Sequence, residues 1–208
     1  MTITNGYLTA AEASAYVQRQ FADSTGILDD VVTAASRTID RYCGRHFYTV
    51  TATRYFEVEE LCELDLGPYN DLVSVTTLKT DNDGDGVYET TWTTDQYLLC
   101  PKGATARAPQ AQPYTEIELL NGLTFPYGVT TGREALIEIA GSWGWPSVPI
   151  EVKQACRILV AELGKLQDAP LGVVGQSEFG VFRVSNQLPP AVRRMLQPFV
   201  HPDHVGIG

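Results

Sequence analysis

Basic residues are scarce in this chain. Its 208 residues include 15 Lys and Arg against 25 Asp and Glu, for a net charge of −10. A free-standing nucleic-acid binder neutralises phosphates with Lys and Arg, so the balance argues against that class. An acidic wall does, however, let DNA slide past without holding it. Long apolar runs are also missing: no stretch reaches the roughly 18 apolar residues of a membrane span. The opening MTITNGYLTAAEAS lacks a basic start and an apolar run, so no secretory signal is expected. Cysteines number only 4, at Cys43, Cys62, Cys100 and Cys156, and none forms a CxxC pair. Only Cys43 has a histidine nearby, His46. Zinc needs clustered ligands, so buried free thiols in a reducing compartment are expected. With 3 histidines there is no HExxH and no recognisable Ser-His-Asp or Cys-His spacing. No phosphate-cradling GxxxxGK[ST] or GxGxxG occurs. The glycines of GVVGQSEFG lack a lysine and read as backbone bends. No enzyme and no cofactor are expected. A hydrolase assembled in space around His46 has no positive support.

What is present is an ordinary globular balance, 44% hydrophobic and 19% charged, which excludes a disordered chain. The length suits one core, or one core with a second lobe. Thr9 and Glu12 have the spacing of a capping box, opening a helix expected over about 10–21. Ile27, Val31, Ala35, Ile39 and Tyr42 recur at steps of three and four, a second helix that Gly44 stops. From Phe47 to about Gly141 the period becomes two. RYFEVEE, LVSVTTLKT, VYETTWTT, TEIELL and EALIEIAG read as strands, and 102–113 reads as an exposed flexible loop. Helix returns after Pro149, with Val152, Ala155, Cys156, Leu159, Val160, Leu163 and Leu166 on one face. A short last helix starts near Pro190, followed by a Pro- and Gly-rich tail that is not expected to fold alone. The expected fold class is α+β: a helical bundle formed by N- and C-terminal helices with a central antiparallel β-rich insertion. Residues 1–46 and 147–208 form the helical part, and 47–146 the insertion.

Four features could carry function. DNDGDG places Asp81, Asp83 and Asp85 at positions one, three and five of an EF-hand calcium loop, with Glu89 at nine. Position twelve is Trp92, where a bidentate Glu is needed, and strands flank the loop in place of helices. A hairpin turn rich in Asp and Gly is the competing reading. Glu57, Glu59, Glu60, Glu63 and Asp65 form an acidic cluster. Alternation with Phe56 and Val58 makes it a solvated strand face, with Glu57, Glu59 and Glu60 as a candidate acidic wall toward DNA. Trp143 and Trp145 could stack bases, but burying a corner is the commoner use. The segment 169–186 is an extended apolar loop punctuated by glycine, carrying Leu171, Val173, Val174, Phe179, Val181, Phe182 and Arg183. A loop that apolar is expected to cover a protein surface, here an inter-subunit interface.

Five pieces together resemble the head–tail connector (adaptor) proteins of long-tailed bacteriophages and related gene-transfer particles. They are YLTAAEASAYV, AASRTIDRYCGRHFY, VTTLKTDNDGDGVYETTW, IEIAGSWGWPSVPIEVKQACRILVAEL and GQSEFGVFRVS. The resemblance runs through nearly the whole chain in the same order. It implies a ring of about twelve subunits beneath the portal in the virion neck, made in the host cytoplasm. It further implies a DNA channel without sequence-specific binding, a platform for a stopper or tail-completion protein, no enzymatic activity and no membrane. Carried onto this chain, it assigns portal contact to Pro190, Val192, Arg193, Arg194, Met195, Leu196, Pro198, Phe199 and His201, with the tail ordered only on a partner. The insertion at 47–141 departs from the smallest members, which leaves its partner open. The alternative from a different class is a calcium-dependent β binding module using the DNDGDG hairpin.

Overall fold

A computed structural model describes residues 3–17, 26–127, 135–168, 173–177, 180–183 and 188–204. The chain divides into two compact units, Met1–Arg45 with Val148–Gly208, and His46–Ser147. The class is α+β, with four α-helices and antiparallel sheets among the described residues.

In the first unit, α1 (Ala10–Val17) opens with the expected capping box. The Glu12 carboxylate accepts from the Thr9 N–H at 2.8 Å, and the Glu12 N–H donates to Thr9 Oγ1 at 3.2 Å. Two donors that no helical carbonyl could reach are thereby satisfied reciprocally. The rest of the expected first helix, beyond Val17, lies outside the described residues. α2 (Ile27–Cys43) ends at Gly44, whose φ of 63° is the left-handed cap that glycine adopts without strain.

The buried stripe of α2 differs from the apolar reading. It runs Leu28, Val31, Val32, Ala35, Ser36, Ile39, Asp40 and Cys43, while Ile27 is 45% exposed. The helix is turned so that two polar residues face inward. The reason is Tyr7, a buried residue of the N-terminal segment, whose N–H donates to Ser36 Oγ at 3.1 Å and whose hydroxyl donates to Asp40. α2 packs on α3 (Ile150–Asp168), α1 touches both, and α4 (Pro190–Leu196) packs on α3. Val152, Ala155, Cys156, Leu159 and Val160 are buried from α3, and Val192 and Leu196 from α4. Each fully buried Leu or Val contributes roughly 1.5–3 kcal/mol, so this shared face is what holds the short helices.

The segment 169–186 contains strands where an extended loop is expected. β8 (Val173–Ser177) and β9 (Gly180–Arg183) pair antiparallel as a two-stranded ribbon. Val173, Val174, Val181 and Phe182 are strand formers, and this local preference was masked by the surrounding glycines. Leu171 and Phe179 lie outside the described residues.

Among its described residues the second unit holds two sheets. One has the order β1 (Val50–Glu57), β7 (Ala135–Trp143), β3 (Leu72–Thr80), β4 (Thr90–Trp92). The other has the order β2 (Glu63–Asp65), β6 (Glu116–Leu119), β5 (Tyr97–Cys100). Their inner faces share one core of Leu64, Leu66, Leu72, Leu78, Tyr97, Ile117, Leu119, Phe125, Ile137, Ile139 and Trp143. β2 and β5 have no strong alternation of their own; pairing on either side of β6 makes them strands. The stretch 102–113 is less loose than expected. Ala104 is buried and starts a 3-10 turn, and its carbonyl accepts from the Gln112 N–H at 2.9 Å.

Candidate functional site

The DNDGDG segment is the loop of the β3–β4 hairpin, as the strand periodicity predicts. Its side chains are built for a tight turn. Both oxygens of the buried Asp81 carboxylate accept backbone N–H groups, from Gly84 and Gly86, each at 2.7 Å. Asp83 accepts from the Asp85 N–H at 3.2 Å and Asp85 from the Val87 N–H at 2.7 Å. Burial raises the Asp81 carboxyl, but the N–H donors of Gly86, Gly84, Asp83 and Asp85 outweigh it and hold the group below the usual carboxylate range. Oxygens of Asp81, Asp83, Asp85 and Glu89 lie within 4.8 Å of one another, a donor set suited to a hard cation. Trp92, at position twelve, is a β4 residue whose indole N–H donates to Thr80 Oγ1 at 3.2 Å. It supplies no ligand.

The tryptophans bury a corner. Trp143 is fully buried and donates to the Ala52 carbonyl at 2.9 Å, with the Arg54 guanidinium 4.5 Å from its ring centre. Trp145 donates to the Asp71 carboxylate at 3.0 Å and packs 5.2 Å from Phe47. Between them Gly144 has a φ of 107°, and a Cβ there would meet the Tyr48 carbonyl oxygen at 1.9 Å. Neither ring is presented to a base, so the stacking reading falls away.

Glu57, Glu59 and Glu60 are all exposed, as a solvated strand face requires. A second acidic face was not legible in the sequence. Glu63 of β2 lies opposite Glu118 of β6, and Asp65 opposite Glu116. The four carboxylates come from segments about fifty residues apart, joined only by strand register. Partial burial first, then Glu63, Glu118 and Asp65, push the Glu116 carboxyl up. Burial first, then Glu116, Glu118 and Glu63, raise the Cys100 thiol, against Lys102.

As far as His204 the C-terminal segment folds on its own chain, which corrects for that part the expectation that it is ordered only on a partner; 205–208 lie outside the described residues. His201 is buried and donates its N–H to the Cys43 carbonyl at 2.8 Å, while the His204 ring bonds the Arg41 carbonyl at 2.8 Å. These are last-turn carbonyls of α2, which have no helical partner. A Cβ on Gly44 would meet the His204 ring at 2.4 Å, so glycine serves both the helix end and the docked tail. Of the residues assigned to portal contact, Val192, Leu196 and His201 are therefore withdrawn as surface groups: they are core. Pro190, Arg194 and Pro198 are exposed, and Arg193, Met195 and Phe199 are half-buried.

The cysteines are free. Cys43 and Cys156 are buried as expected, but Cys62 is exposed and Cys100 is partly so. Burial pushes the Cys156 thiol up to about 11, against the hydrogen bond with Ser36, so it is an inert core group. His46 is buried with its ring 4.7 Å from that of Tyr48.

No protein-family model and no curated protein matches the chain. Among solved structures, it is similar to a chain in the neck of an empty gene transfer agent (GTA) particle computed with C6 symmetry. The identity is 20% and the TM-score 0.59, covering 96% of this chain and 92% of that one. A chain in the neck of a native GTA particle computed with C12 symmetry matches at 18% identity, TM-score 0.59 and the same coverage. A chain in the virion of a native GTA particle matches at 18% identity and TM-score 0.53. At these identities the similarity establishes a common fold, extending through helical and β parts alike.

Proposed function

We propose that this chain is a structural neck protein of a phage or GTA-like virion, acting as a head–tail connector (adaptor). It forms a ring below the portal, extends the DNA channel and supports the stopper or tail-completion protein. The observation that carries this reading is the fold similarity over 96% of the chain to chains in GTA necks. The C12 symmetry used for one of those necks favours a ring of twelve. An acidic chain suits a channel that must not hold DNA, with Glu57, Glu59 and Glu60 as wall residues. Portal contact falls to the exposed C-terminal groups Pro190, Arg194 and Pro198, and Val173, Val174, Val181, Phe182 and Arg183 lie toward a neighbouring subunit. No catalytic step enters this role. Electron microscopy of the full chain, alone and mixed with the portal protein of the same particle, tests it. A twelvefold ring coaxial with the portal is expected. A chain that forms no ring and binds no portal in either setting refutes it.

A second reading, a calcium-dependent β module, is favoured by the four close carboxylates of the β3–β4 loop. Calorimetry with Ca²⁺ decides it: submillimolar binding that is lost in Asp83→Ala supports the reading, and no heat refutes it.

A further inference from the structure

Two hydrogen-bonded elements of this chain are incomplete. Among the described residues, β8 and β9 form a sheet of two strands. A two-stranded hairpin is marginal in water by itself, and a third strand is the usual remedy. β1 is the complement. It has 8 residues, pairs with β7 along its length, and stands at the end of its sheet. Among the described residues no strand covers its other edge. The remaining edge strands of that unit, β4, β2 and β5, have only 3 or 4 residues. Proteins guard long edges with proline, lysine or bulges. VTATRYFE contains no proline and no lysine, and its one basic residue, Arg54, is engaged by the Trp143 ring and the Tyr69 carbonyl. The one irregularity of its pairing falls where Phe56 and Glu57 face Ile137 and Ala135, with the extra residue on β7. Thr51, Thr53 and Tyr55 alternate as exposed strand formers along it.

We infer that β9 of one copy adds to the β1 edge of the next copy, so that the ribbon extends the neighbour's sheet. This rests on the ring reading above and names the contact that builds the ring. β9 is the joining strand because β8 carries the bulge. Val173 pairs with Arg183 and Gln176 with Val181, so the extra residue is on β8. A bulge bends its strand and spoils the outer edge for pairing, whereas β9 is regular. The two surfaces differ, so each copy gives one ribbon and receives another. Such a heterologous contact closes into a ring when its rotation allows. Main-chain pairing also depends little on side-chain identity, which accounts for the absence of any recognition motif in either strand.

The test uses the full chain in rings, formed alone or on the portal, with Cys62→Ser and Cys100→Ser to silence the accessible thiols. Backbone hydrogen exchange is compared between ring and monomer. Residues 50–57 and 180–183 should both slow by about tenfold or more on assembly. Copies carrying Thr51→Cys, Thr53→Cys or Tyr55→Cys are then mixed with copies carrying Val181→Cys or Phe182→Cys and oxidised. At least one mixture should give a disulfide-linked dimer. Rings whose β1 amides exchange at the monomer rate overturn the inference and leave the ring reading standing. Protection of β1 without a dimer in any mixture means another strand covers the edge, and overturns it too. A disulfide formed only within single chains carrying both cysteines places the ribbon on its own β1, which also overturns the inference. Failure to form any ring, alone or on the portal, overturns both readings.

Discussion

Asp40 should make the helical unit less stable as pH rises through the mildly acidic range, the reverse of ordinary acid denaturation. Its carboxyl is buried beneath Tyr7 on the inner face of α2. Burial pushes it up from 3.8 to about 6, against the Tyr7 hydroxyl bond and the Arg37 guanidinium at 3.0 Å, which favour the charged form. The folded chain thus keeps this proton to a higher pH than the unfolded chain. Between the two values the folded state binds more protons, and stability falls with increasing pH. Below about pH 4 both states are protonated and the penalty is absent. Above about pH 6 the full penalty is present. At about 1.4 kcal/mol per pH unit, the difference is on the order of 3 kcal/mol. Asp40→Asn has no proton to lose. Its amide oxygen still accepts from Tyr7, although the ion pair to Arg37 is gone. Urea unfolding followed by far-ultraviolet circular dichroism, from about pH 4 to about pH 8, gives the stability of each form. The stability of the variant minus that of the wild type should climb by on the order of 3 kcal/mol across that window. A difference that stays flat, or falls, refutes the assignment of a costly charge to this site.

Three further outcomes follow from single contacts. Gly144→Ala drives a Cβ against the Tyr48 carbonyl at a φ of 107°; the clash is with backbone, so a loss above about 4 kcal/mol or failure to fold is expected in thermal melts. Thr9→Ala removes the hydroxyl that accepts from the Glu12 N–H and donates to the Glu12 carboxylate, leaving only the bond from the Thr9 backbone N–H; chemical denaturation should show a loss of about 1 kcal/mol. Glu118→Gln removes a like charge facing Glu63 across the β2–β6 pair; a gain of roughly 0.2–1 kcal/mol is expected, shrinking as salt is added.

Periodicity located most elements because each needs one buried face. The ends of α2 came from Asp29, Asp30 and Gly44, and α3 from its unbroken apolar face. What periodicity could not show was which way α2 turns. Ser36 and Asp40 read as polar and outward, and the long-range partner that bonds both of them, Tyr7, lies about thirty residues earlier. The carboxylate face of Glu63, Asp65, Glu116 and Glu118 was hidden for a related reason: it exists only in the register of β2 on β6. The tail misled in the opposite direction. Pro198 and Pro202 suggested a segment with nothing to fold on, while the unmatched carbonyls of Arg41 and Cys43 at the end of α2 were waiting for donors.

The docked tail also narrows where a partner could act. A segment that folds only on its partner gives up ordering entropy when it binds. Here His201 and His204 already hold the segment to α2, so that cost is met within the chain. Binding through Pro190, Arg194 and Pro198 would then be contact between preformed surfaces. If so, Gly44→Ala, which displaces the His204 ring, should weaken portal binding without touching any portal-facing residue. Titration of the portal protein by calorimetry would register this as a less favourable entropy of binding, because the freed tail has to be ordered again. Unchanged affinity and entropy in a variant shown to have lost the His204 contact would mean that the tail's order on its own chain is irrelevant to docking.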